Sequence, residues 1–256
     1  MNKIILWSFL TLLIAGNFQS LFSQSSQIDK RSGMPIYFEV DEEAFPESWH
    51  SADIRAEGKD LDKDQIERSL KVLKITLAKY PIEVLKKNLK KIYVLNEIKF
   101  YGVAFGGTNS TDVVYLSNKG ISKGYTDEYL ERLFHAEFSS ILLRNYKSNF
   151  PESQWLAANE PGTKYGKGGV SALKTKQSSE SFDEDLHKKG FLNQYATSDV
   201  ENDFNSFAKT IFKNEGDFWN LIKKYPRLKK KMEIIVAFYH QINEEFDLEY
   251  FQSVSE

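Results

Sequence analysis

Residues 91–118, "KIYVLNEIKFYGVAFGGTNSTDVVYLSN", constrain the fold more than any other stretch of the chain. Their β-branched and aromatic runs are broken by glycines and by Asn109-Ser110, the pattern of short strands joined by turns. The sequence on either side is helical in period. Before the block, "DLDKDQIERSLKVLKITLAKY" places Ile66, Leu70, Val72, Leu73 and Leu77 at helical spacing, with Asp62 or Asp64 as cap. Pro81 then opens a second short helix, "PIEVLKKNL". After the block come "EYLERLFHAEFSSILLRNY" (128–146), "DVENDFNSFAKTIF", "GDFWNLIKKY" and "LKKKMEIIVAFYHQINEEF". One further strand is expected at "PIYFEV". Helices, then strands, then helices predict a single α+β domain. Residues 153–190, rich in Gly, Ser and Lys, are expected to form a long surface excursion. The Gly106-Gly107 pair reads as a turn, since it lacks the lysine and spacing of a phosphate loop.

The first residues bear on the compartment. Lys3 is followed by "IILWSFLTLLIAG", an apolar run too short for a membrane span, and then by the polar "NFQSLFSQSS". This is the pattern of a secretory signal peptide over 1–24, leaving 25–256 as the domain. The chain has no cysteine. A bacterial lipoprotein anchor, disulfides and thiolate metal sites are thereby excluded. Stability must come from a hydrophobic core, and 41% hydrophobic with 14% aromatic residues supplies one. A net charge of −2 gives no reason to expect nucleic acid or an anionic membrane as partner. The expectation is a secreted or periplasmic protein with no membrane anchor in its mature form.

The chemistry concentrates in the 128–146 helix. Leu130, Phe134, Phe138, Ile141 and Leu142 make an apolar stripe that packs it inward. Glu137 sits on the same helix, where a carboxylate is costly unless it finds a partner. Zinc peptidases use His-Glu-x-x-His on such a helix, the two histidines on one face and the glutamate beside them. With Glu137 as the glutamate, the histidine positions hold Ala136 and Ser140, and His135 comes one place too early. Two residues apart, His135 and Glu137 diverge by about 200° around the helix. The remaining histidines, His50, His187 and His240, stand in unrelated contexts.

"YLERLFHAEFSSILL" nevertheless resembles the active helix of the zincin-like, zinc-binding metallopeptidases common among secreted proteins and lipoproteins of Bacteroidota, which carry His-Glu-Phe-x-His. "GFLNQYATSDVENDFNSFAKTIF" resembles their downstream segment, where Tyr-Ala is followed by an acidic third ligand on a second helix. The strands of 91–117 suit their edge-strand region. The resemblance spans roughly residues 90–215. It implies a zincin-like α+β fold: a small mixed sheet packed against an active-site-type helix, with a helical C-terminal part. Glu137 matches the general base, while Ala136 and Ser140 match the two histidine ligands and replace both. The third ligand aligns with Asn202, and Glu201 or Asp203 could serve after a one-residue shift. What the resemblance implies is a degenerate metallopeptidase acting as a binding module for a peptide or a cell-envelope protein, with no cofactor in the wild type. Two alternatives stay open. One is a divergent metallohydrolase in which His135, Glu201 and Asp203 hold zinc and Glu137 is catalytic. The other is a purely structural periplasmic domain.

Overall fold

A computed structural model describes residues 25–213 and 216–254, so the leader expected at 1–24 lies outside the described residues. The chain enters through β1 (Ser26–Ile28), β2 (Pro35–Tyr37) and β3 (Glu57–Lys59), then runs through α1 (Lys63–Ala78) and α2 (Ile82–Asn88). The strand-rich block resolves into β4 (Lys91–Leu95), β5 (Glu97–Phe100), β6 (Val103–Phe105), β7 (Gly107–Asn109) and β8 (Val113–Ser117). There follow α3 (Asp127–Asn145), α4 (Glu152–Ala157), α5 (Gly169–Lys174) and α6 (Glu184–Lys189). The last helices are α7 (Val200–Lys213), α8 (Gly216–Lys224), α9 (Pro226–Ile242) and α10 (Leu248–Ser253). The fold is α+β, as the order of periodicities predicts.

Local signals set several boundaries. Thr126 caps α3, its Oγ1 accepting the Tyr129 N–H at 3.1 Å. Pro81 stands immediately before α2. Asp62 occupies the cap position of α1, but its carboxylate accepts a hydrogen bond from Asn96 Nδ2 at 2.9 Å instead of serving the helix.

The larger sheet is mixed, in the order β1-β2-β4-β8-β7, with parallel pairs in the middle and an antiparallel pair at each end. Its central strands are covered on both faces, which is why they read as nearly continuous apolar runs. Ile92, Val94, Val114 and Leu116 join the core shared with the helices. Tyr93, Leu95, Val113 and Tyr115 join a second core under the antiparallel sheet β3-β5-β6. In the larger core, Phe134, Phe138 and Ile141 of α3 meet Phe204, Phe207 and Ile211 of α7 and Phe238 of α9.

Residues 153–190 differ from the excursion expected. Much of the stretch is exposed, yet it is organised into α4, α5 and α6 and pinned by Trp155, Ala158, Ala172 and His187, all buried. These anchors are too widely spaced to register as a period, so composition alone reads as loop.

Candidate functional site

Helix α3 packs against β7 and β8 on one side and against α7 on the other. Between β7, α3, α7 and the segment around α5 lies a cavity of about 660 Å³. Ala136, Glu137 and Ser140 of α3 line it, and so do Asn202, Asn205, Ser206 and Lys209 of α7. The spacing explains the grouping. Positions 136, 137 and 140 share one helical face, as do 202, 205, 206 and 209.

Strand β7 forms the rim. The Ser110 N–H donates to Val113 O and the Ser117 N–H to Gly106 O, with Thr108 opposite Tyr115 between them. Antiparallel strands alternate inward and outward pairing, so the N–H and C=O groups of Gly107 and Asn109 point away from β8 along the open edge. Gly106 and Gly107 let this edge approach α3. A Cβ on Gly107 would meet Leu133 at 2.9 Å and Glu137 Oε1 at 3.0 Å, and one on Gly106 would meet the Tyr129 hydroxyl at 2.1 Å. The pair is therefore more than the turn expected: Gly106 bends the chain, and Gly107 already belongs to the strand.

Glu137 is half-buried in the cavity, and Asn109 Nδ2 donates to its Oε2 at 2.6 Å. Arg144 in turn donates to Asn109 Oδ1 and to Ser110 O, and its Nη1 lies 3.3 Å from Glu201 Oε1. Burial pushes the Glu137 carboxyl up to about 7; the Asn109 hydrogen bond opposes that rise, and the Glu201 carboxylate adds to it. Across the cavity Ser140 Oγ accepts from Asn205 Nδ2 at 2.7 Å. Asn202 donates to Ser198 Oγ at 2.9 Å and to Asp199 Oδ2 at 2.8 Å, at the start of α7.

The structure separates the other candidates. Glu201 lines the cavity with Glu137. His135 turns into the core with no exposure, where Tyr80 OH meets its Nδ1 at 2.8 Å and burial lowers its pKa to about 4. Asp203 is also fully buried, taking Lys231 Nζ at 2.5 Å, Tyr165 OH at 2.6 Å and Trp155 Nε1 at 2.9 Å. The cause is the same in both helices: a step of two residues turns a side chain by about 200°. His135, Glu201 and Asp203 therefore do not converge on one point. Among the described residues no group of three or more His, Cys, Asp or Glu could hold a metal ion. A zinc ion needs three N, O or S donors around an open position. Ala136 offers a methyl group and Ser140 a hydroxyl engaged by Asn205, so the residues present do not fit one.

Sequence reasoning missed Asn109, Asn205, Lys209 and Arg132, all of which line the cavity. A signal for two of them was available. Asn202, Asn205, Ser206 and Lys209 form a polar stripe on α7 beside its Phe204, Phe207 and Ile211 stripe. Asn109 and Arg132 carry no comparable pattern. The chain matches no protein-family model, no curated protein and no solved structure. No helix among the described residues is long and apolar enough to cross a membrane.

The Glu137 carboxyl makes stability depend on pH. Its ordinary value is 4.5 and its folded value about 7, so between those the native state holds more protons than the unfolded chain. Stability then falls as pH rises through this window, and the penalty is absent below it. Glu137→Gln is expected to raise stability by about 1–3 kcal/mol at pH 8 and to change it little at pH 4. Urea denaturation at both pH values checks this. A gain of equal size at both would mean that the carboxyl is not held up in the folded state.

Proposed function

We propose that the cavity is a peptide-binding cleft on a secreted, zincin-like scaffold from which the zinc ligands have been lost, and that the protein acts as a binding module. One observation carries this reading. The four positions that the sequence resemblance aligns with a zinc peptidase site, 136, 137, 140 and 202, all line one cavity beside an antiparallel edge strand. An extended peptide laid along β7 would take up the outward N–H and C=O groups of Gly107 and Asn109, and the cavity would receive its side chains. The partner is a peptide, or an extended segment of a cell-envelope protein, met outside the cytoplasm.

The test is panning of phage-displayed random heptapeptides against wild type and Ala136→Phe. The added ring enters the cavity from a half-buried position on α3 that belongs to neither core. Enrichment on wild type that falls at least tenfold on Ala136→Phe is expected. Equal enrichment on both would move binding elsewhere and defeat the reading.

The Glu137 carboxyl, raised to about 7, favours a second reading, a hydrolase in which it takes a proton from the attacking water. Peptide hydrolysis by wild type that disappears in Glu137→Gln would establish it. Zinc retained tightly by unmodified protein would overturn the lost-ligand reading.

A further inference from the structure

Glu180, on the connection between α5 and α6, reaches the cavity wall and pairs with Lys209 of α7, Oε2 to Nζ at 2.7 Å. The pair is lopsided: the Lys209 side chain is 5% exposed and that of Glu180 47%. Arg132 of α3 lies within electrostatic reach of the same carboxylate, as do the hydroxyls of Tyr129 and Tyr195. The buried cation thus belongs to a core helix, while its anion comes from a solvent-facing connection. That connection is held at separate points, by the Tyr195 N–H on Ser179 O at 3.0 Å and the Asp183 N–H on Leu192 O at 3.2 Å. Asn205, one turn before Lys209, spends its Nδ2 on Ser140 and leaves its buried Oδ1 without a partner among the described residues.

We infer that Lys209 is the seat for a carboxylate of the ligand, and that Glu180 fills this seat as an internal stand-in when the cleft is empty. The inference rests on the peptide-cleft reading for the body of the ligand. A buried ammonium stripped of its partner is unfavourable, so a carboxylate at this seat is favoured whether the cleft is empty or filled. Exchanging Glu180 for an incoming carboxylate keeps the buried pair, and the displaced side chain is already half in water. Asn205 Oδ1 complements an N–H donor, which a peptide carries beside each carboxylate. The ligand class is a peptide presenting either a free C-terminus or an acidic side chain.

Calorimetric titration of the full chain separates the possibilities with four probes: N-acetyl-tetraalanine as free acid, the same peptide as C-terminal amide, N-acetyl-Ala-Glu-Ala-Ala-amide, and glutarate. Glu180→Gln should bind at least one carboxylate peptide tenfold or more tighter than wild type does. The gain should vanish in Glu180→Gln/Lys209→Met, and the tetraalanine amide should show none. A gain for the free acid identifies a C-terminus, and a gain for the glutamyl amide identifies an acidic side chain. Peptides that bind wild type and Glu180→Gln equally would overturn the carboxylate seat and leave the cleft standing. Glutarate bound in a Lys209-dependent way, with no peptide bound, would keep the seat and remove the peptide reading. No binding of any probe to folded Glu180→Gln would overturn the inference outright. Glu180 is exposed enough for that variant to fold, and circular dichroism verifies it.

Discussion

The triple variant Ala136→His/Ser140→His/Asn202→Glu is expected to co-purify with near-stoichiometric zinc, where unmodified protein retains none after dialysis. Positions 136 and 140 lie one turn apart on the cavity face of α3, and position 202 opens onto the same cavity from α7. Histidines at the first two recreate the i, i+4 pair beside Glu137. A glutamate at 202 also suits the helix. Asp199 Oδ1 already accepts the Asn202 N–H at 2.7 Å, and an acidic residue at this third position is the favoured companion of such a cap. Tight zinc sites are worth roughly 10 kcal/mol or more in apparent binding free energy, which scattered single carboxylates do not approach. Elemental analysis reads the result. Adding Glu137→Gln should leave the zinc in place and abolish any hydrolysis that the triple variant acquires. Failure of the triple variant to hold zinc would mean that α3 and α7 do not present a zincin-like cleft, leaving a structural domain as the better account.

Lys231→Met is expected to destabilise the protein by about 3–5 kcal/mol, lowering the melting temperature on the order of 10 °C. Lys231 and Asp203 are both without solvent exposure, 2.5 Å apart, and the ammonium also donates to Gly190 O at 2.7 Å. The Phe191 and Trp155 rings flank it at 4.4 Å and 5.0 Å. Removing the cation leaves a fully buried carboxylate with only the Tyr165 hydroxyl and the Trp155 indole N–H as partners. The double variant Lys231→Met/Asp203→Leu should recover part of the loss: it removes the stranded charge, but the Tyr165 hydroxyl and Trp155 N–H then lose their acceptor. Urea denaturation of the single and double variants decides it. A loss below about 1 kcal/mol in the single variant would mean that the pair is effectively hydrated, as surface pairs are.

The order of elements was legible in the sequence because the rules that set it act over a few residues. Thr126 accepts a bond from a residue three positions on, and Pro81 stands where a helix can begin. The apolar stripe of α3 faces inward at each of the five positions its period marks. Even the divergence of His135 from Glu137 followed from spacing along one helix. Tertiary structure decided which faces meet. Glu201 and Asp203 both carry carboxyl groups and stand two residues apart, and nothing local says which turns toward α3. Lys231, on a helix 28 residues further on, settles it by burying Asp203 and leaving Glu201 to the cavity. The edge strand β7, only three residues long, is specified by its pairing with β8 and by the space that Gly106 and Gly107 leave for Tyr129, Leu133 and Glu137. Helical period and capping are properties of adjacent residues and can be read along the chain. The partner of a buried charge depends on which distant elements pack together, and that is fixed only when the core closes.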